Sequence, residues 1–308
     1  MQSSFLRVTD EVADAVAAGD PVVALESTIF SSLGLPAPAN RECLDRCLRA
    51  VRSHGAVPAL TAIIDGRAVV GVVGDEVDRV LMATSKIAAR EIPIAIGTGL
   101  DVGVTTVSAS VTLAARAGVE VFATGGIGGV HRGSELTGDV SHDLLALSRH
   151  PVVTVTAGAK AFLDLARTLE TLETLGVPVV GWRTDRFPAF YVRDSGLPVP
   201  QTVDAPDQVA RMLRAAVAMG HPGGVLVANP IPEADELDPD LVETALAAGL
   251  EEVARLGLSG PAVTPVVLGA IAAATDGLSV PANLALAESN ALVAAEIAKS
   301  LSGLHDVN

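Results

Sequence analysis

No stretch of this 308-residue chain stays apolar for the ~18 residues that a membrane-crossing helix needs. Its amino terminus, MQSSFLRVTDEV, places acidic residues where a secretory signal would be basic and then apolar, so the expected setting is the cytoplasm. Cationic charge and aromatic rings are both scarce. Lysine and arginine together number 21 against 36 aspartates and glutamates, for a net charge of −15, and aromatic residues make up 3%. A surface this acidic repels nucleic-acid backbones and offers few rings for stacking, so neither nucleic acid nor membrane is an expected partner. No GxxxxGK[ST] loop occurs anywhere, and the glycines at 125–129 lack the third glycine of a dinucleotide fingerprint, which leaves nucleoside-triphosphate chemistry without support. The only cysteines, Cys43 and Cys47, lie four apart in a helical pattern and read as free, at least partly buried thiols.

Hydrophobic residues are plentiful, at 49%, and alanine, valine, leucine and glycine dominate. Apolar runs at 21–25, 58–64, 68–73, 92–96, 152–156, 177–181 and 224–228 read as strands, with a hairpin turn at Asp65-Gly66. Helical patterns cover 8–18, 41–54, 75–83, 162–175, 207–219, 239–256, 264–274 and the Ala-rich 280–301, and a small-residue helix opens around Gly103–Ser108. No linker or repeat divides the chain, so residues 1–308 read as one α/β domain.

Chemistry concentrates in Val121–Leu144, VFATGGIGGVHRGSELTGDVSHDL. A short buried strand breaks into glycines, which bring backbone close to a ligand at the strand's carboxyl end. Behind them crowd His131, Arg132, Glu135, Asp139, Ser141, His142 and Asp143, a density of ionisable groups unlike any other part of the chain. Two residues elsewhere stand where strands run out. Glu26 follows the 21–25 run and reads either as a helix-start carboxylate or as a working group on a rigid element. Lys160 follows the 152–156 run in apolar surroundings, which suits a nucleophilic amine or, equally, a lysine whose stem packs while its head reaches water.

The ordered set VALESTIF (23–30), GAVPAL (55–60), GVTTVSAS (103–110), FATGGIGGVHRG (122–133), AGAK (157–160), LETLGVPVVGWRTDRFPAFY (172–191), ANPIP (228–232) and PANLALAESNALVAAEIA (281–298) closely resembles the pseudouridine-5′-phosphate glycosidase family. The resemblance implies reversible cleavage of the C–C glycosidic bond of pseudouridine 5′-phosphate to uracil and ribose 5-phosphate. It makes Lys160 the nucleophile that holds the opened sugar as an imine and Glu26 the proton donor. It further implies a divalent ion, usually manganese, on Asp139, and substrate contacts at Lys86, Val107, Ser141, His142, Asp143 and Asn283, with His131 nearby; Lys86 and His131 are assigned to the phosphate. The fold expected is a three-layer α/β/α sandwich around a largely parallel central sheet, assembled as a homotrimer. The sugar-kinase domain fused to some relatives is not expected here, so a separate pseudouridine kinase would supply the substrate. Leu33-Gly34-Leu35-Pro36 departs from the family's His-Gly-Met-Pro and removes an imidazole from that loop.

Overall fold

The computed structural model describes residues 5–258 and 263–305. In chain order the strands are β1 (Leu6–Val8), β2 (Val22–Leu25), β3 (Val57–Ile64), β4 (Arg67–Val70), β5 (Lys86–Ile87), β6 (Val102–Thr105), β7 (Val121–Ala123), β8 (Val130–His131), β9 (Val153–Thr156), β10 (Leu163–Asp164), β11 (Val179–Trp182), β12 (Gln201–Val203) and β13 (Leu226–Ala228). The helices are α1 (Asp10–Ala18), α2 (Ala39–Ser53), α3 (Asp75–Met82), α4 (Ile92–Gly97), α5 (Val107–Arg116), α6 (Ser134–Thr137), α7 (His142–Leu147), α8 (Leu165–Thr174), α9 (Pro206–Ala218), α10 (Pro239–Arg255), α11 (Val263–Ala274) and α12 (Ser279–His305).

Strand β3 serves two sheets. Its first half, Val57–Leu60, runs parallel to β2, and its second half, Thr61–Ile64, pairs antiparallel with β4 on one edge and β6 on the other. The main sheet therefore reads β3-β2-β7-β9-β13-β11-β12, parallel throughout, while β1-β4-β3-β6-β5 forms a mixed extension. Every residue of β2, β7, β9 and β13 is buried, as a parallel sheet covered by helices on its faces requires. The cover is largely α12, 27 residues long and Ala-rich, which lies on β2, β7 and β9 between α2 and α9. The fold is thus mixed α/β, a large mostly parallel sheet flanked by helices. Among the described residues no single helix is long and apolar enough to cross a membrane; α11 and α12 reach that length and composition only together, across a 110° bend.

Most expected elements appear within a residue or two of their expected ends, and the hairpin turn has the positive φ values, 50° at Asp65 and 67° at Gly66, that a two-residue β-hairpin loop favours. Residues 92–96 are a correction: they form α4 and not a strand. Periodicity cannot separate a short apolar run from a helix turn, and Pro93 sits in the first turn, where its missing N–H costs nothing. The strand in that region is β6, which continues directly into α5 through Thr106. The expected helix at 162–175 likewise begins late, because Leu163–Asp164 first pair antiparallel with Val130–His131.

Candidate active site

The main sheet changes direction between β2 and β7. From β2 the chain crosses to β3 on one side, and from β7 to β9 on the other, which opens a crevice at the carboxyl ends of the strands. Leu25 pairs with Ala123 in the register of β2 and β7, so the next residues, Glu26 and Thr124, fall side by side. The Thr124 hydroxyl donates a short hydrogen bond to Glu26 Oε1. Asn290 of α12 donates through Nδ2 to the Thr124 carbonyl at 2.7 Å and accepts from Asn229 Nδ2 at 2.9 Å, which fixes the end of β7 from below. A buried hydroxyl network braces β2 where β3 bends away: Ser27 Oγ accepts from the Thr105 N–H at 2.8 Å, and Thr61 Oγ1 bonds the Leu25 carbonyl at 3.0 Å and Ser110 Oγ at 2.9 Å.

Beyond β7 the glycine segment continues the parallel pairing with the stretch after β9. Ala157 N–H donates to the Gly125 carbonyl at 2.9 Å, Ile127 N–H to Gly158 at 3.1 Å, and Lys160 N–H to Ile127 at 3.1 Å. Lys160 is therefore carried by a backbone ladder and not by a free loop. Gly158 has φ of 85°, and a Cβ there would strike the Pro188 carbonyl. A Cβ on Gly128 would collide with Ser141 Oγ and come within 2.8 Å of Asp143 Oδ2. Asp143, 5% exposed, explains that closeness: its two carboxylate oxygens accept from the Ser108 N–H at 2.8 Å and the Gly128 N–H at 2.9 Å, tying the glycine floor to the start of α5. Ser141 caps α7 by accepting from the Asp143 N–H at 3.2 Å.

These residues enclose a cleft of about 360 Å³ lined by Glu26, Lys86, Val107, His131, Asp139, Ser141, His142, Asp143 and Lys160, so every site residue expected from the sequence except Asn283 faces one space. A smaller pocket of about 70 Å³ shares Glu26, Thr28, Lys86 and Lys160 with it and is lined on its far side by Ile29, Leu33, Phe190, Tyr191, Leu268 and Asn283. Asn283 stands against the buried Tyr191 hydroxyl, and its Oδ1 has no hydrogen-bond partner among the described residues. Glu26 and Lys160 thus sit where a polar chamber meets a mostly apolar one. Arg132 and Glu135, prominent in the sequence cluster, stay outside: Arg132 is exposed, and Glu135 pairs on the surface with Arg167 at 2.7 Å.

Burial pushes the Glu26 carboxyl above its usual value, more than the nearby Lys160 charge and the Thr124 hydrogen bond pull it down. Lys86 reaches solvent through the cleft, yet the surrounding walls desolvate it enough to lower its ammonium below the usual lysine value, and the Lys160 charge adds to that. His131 lies with Nδ1 3.7 Å from Asp139 Oδ2 and its ring 5.8 Å from Phe162. Among the described residues no three His, Cys, Asp or Glu side chains converge as a metal cage. Asp139, half-buried on the cleft wall, fits a hard divalent ion that keeps most of its waters, and not zinc, which takes three or four protein ligands.

Sequence reasoning missed Thr124 as the partner of Glu26, because that contact exists only once β2 and β7 are neighbours. It also passed over a compositional signal. Lysine occurs three times in the chain, at 86, 160 and 299, while arginine supplies the other 18 of the 21 basic residues. Two of the three lysines line the cleft. A lysine side chain can act as an amine nucleophile and an arginine cannot, so the placement of two lysines in the cleft was a readable signal.

A family model described as indigoidine synthase A like protein matches residues 11–300. A pseudouridine-5′-phosphate glycosidase of Methylobacterium nodulans is 48% identical over 305 residues, covering 98% of this chain and 90% of that protein. One of Hahella chejuensis is 48% identical, covering 97% and 99%. Among solved structures, the prealnumycin C-glycosynthase AlnA in complex with ribulose 5-phosphate superposes with a TM-score of 0.92 at 40% identity, covering 99% of this chain and all of that one. An indigoidine synthase A-like protein of Thermotoga maritima gives 0.86 at 36% identity, with 97% of each chain covered.

Proposed function

The chain belongs to the pseudouridine-5′-phosphate glycosidase family, and from that premise we infer that it splits the C–C bond of pseudouridine 5′-phosphate to give uracil and ribose 5-phosphate, a step of pseudouridine catabolism. The observation that carries the reading at the level of chemistry is the placement of a buried Glu26, its carboxyl raised by desolvation, in one strand-end crevice with Lys160. The departing atom is a ring carbon with no lone pair to protonate, which suits an amine nucleophile better than a second carboxylate.

In this mechanism the Lys160 amine attacks C1′ as the bond from C1′ to the ring oxygen breaks, and the proton lost by Nζ goes to that oxygen. As the C1′–base bond breaks, C1′ becomes an imine with Nζ and the base carbon receives the proton of Glu26. Water then releases ribose 5-phosphate and restores the amine, while Glu26 is reprotonated. Burial raises this carboxyl, the direction in which a proton donor must be moved. The pocket beside Phe190, Tyr191 and Leu268 takes the flat base, and the unpaired Asn283 Oδ1 accepts a base N–H. The ladder through Ile127 and the Asp143 clamp hold nucleophile and floor in place. Val107, His131, Ser141, His142 and Asp143 face the sugar phosphate from the other chamber, and Lys86 lines both. Asp139 would hold hydrated manganese or magnesium, which when bound supplies positive charge toward the phosphate.

A homotrimer, a separate upstream kinase and a cytoplasmic setting belong to the same proposal on the resemblance alone. The test is incubation of the purified protein with pseudouridine 5′-phosphate and manganese, following uracil by chromatography. Stoichiometric uracil and ribose 5-phosphate are expected; no release would overturn the assignment.

A further inference from the structure

We propose that Arg90 is the guanidinium that receives the substrate phosphate at the mouth of the cleft. The proposal rests on the glycosidase reading, since it takes a sugar phosphate as the ligand. Arg90 lies in the short turn Ala89–Glu91 between β5 and α4 and lines the cleft. Its position is built. The Ala89 N–H donates to Ser108 Oγ at 3.2 Å, which pins the turn to the start of α5. Glu91 accepts the Ala88 N–H at 2.7 Å and, with its other oxygen, Arg90 Nε at 2.9 Å. Nε is thereby used, while the two Nη groups have no partner among the described residues. They form the half of the guanidinium fork that matches two oxygens of a phosphate.

Charge makes the same demand. The chain carries a net charge of −15, so a phosphate dianion must be neutralised locally. Of the two lysines in the cleft, Lys160 is consumed by the imine, and Lys86 is held by burial toward its neutral form. Among the described residues Arg90 is the one arginine lining the cleft, and a guanidinium does not lose its charge at neutral pH. Its side chain is largely exposed and its pair with Glu91 is a surface ion pair of little energy, so turning toward a ligand costs little and removing it leaves the fold intact.

The experiment compares wild type, Arg90→Ala and Arg90→Lys with manganese present. Arg90→Ala is expected to raise KM for pseudouridine 5′-phosphate roughly 10- to 100-fold, the range of a charge-assisted contact, with a much smaller change in kcat. Arg90→Lys should recover part of the loss. Inhibition by ribose 5-phosphate should weaken by the same factor as KM, while inhibition by uracil, at the other end of the site, should not change. Calorimetric binding of ribose 5-phosphate reads the same contact without turnover, so a wild type that releases no uracil would refute the glycosidase reading and leave this one measurable. Unchanged ribose 5-phosphate affinity in Arg90→Ala, equal weakening of uracil and ribose 5-phosphate, or a wild type that does not bind ribose 5-phosphate would each overturn the proposal.

Discussion

Replacing Asp143 separates a structural clamp from a substrate contact, because its two carboxylate oxygens are already occupied by protein. The Ser108 and Gly128 N–H groups at 2.8 and 2.9 Å lose their acceptor in Asp143→Ala. Each N–H left without a partner in a buried place costs about 1–3 kcal/mol, so the pair amounts to about 2–6 kcal/mol. Cleft water can reach Gly128, whose bond is only partly buried, so the lower half of that range, about 2–4 kcal/mol, is expected. Asp143→Asn keeps one acceptor and turns an amide N–H₂ toward the other donor, so it should fall between wild type and alanine. Urea denaturation of the ligand-free protein provides the assay, read as a shift of midpoint at unchanged slope. Activity should fall further than stability predicts, because the glycine floor that aligns Lys160 is no longer tied to α5. An alanine variant within about 0.5 kcal/mol of wild type would refute the clamp, since surface substitutions away from such features fall in that range.

Gly128→Ala should reproduce the Asp143→Asn phenotype, since the added Cβ meets Ser141 Oγ and Asp143 Oδ2; a stable, fully active variant would contradict that packing. Glu26→Gln should abolish cleavage yet raise stability. Below the usual carboxyl value of 4.5 the protonated group contributes its full stability, which is lost as pH rises through the raised folded value, so the melting-temperature gain of Gln should appear at neutral pH and vanish near pH 4. Thr124→Val removes a bond that favours the ionised carboxyl, so the alkaline limb of the pH–rate profile, where Glu26 loses its proton, should move to higher pH. Asp139→Ala should need far more manganese for half-maximal rate at unchanged melting temperature, and full activity of wild type after exhaustive chelation would remove the metal from the mechanism.

The parallel sheet was legible because buried parallel strands are written as continuous Val-, Ile- and Leu-rich runs, and Glu26 and Lys160 stood out as polar residues at the ends of two of them. Asn283 and Asn290 lie seven apart on α12, the first lining the smaller pocket and the second bonding the end of β7. Ile92–Ile96 misled because five apolar residues carry no period, and β6 was hidden by Gly103 in its middle. What sequence could not give was adjacency. That Thr124 would bond Glu26 across 98 residues, or that Asp143 would spend both oxygens on backbone, follows from strand order and loop packing, which no local pattern encodes.

The central claim, a covalent sugar on Lys160, is tested most directly by borohydride reduction during turnover followed by peptide mapping. The chain has only three lysines, so the map is short. The account predicts a reduced ribose phosphate adduct on the peptide carrying Lys160 and none on Lys86 or Lys299. Adduct on either of those two, or uracil release with no trappable adduct, would contradict it.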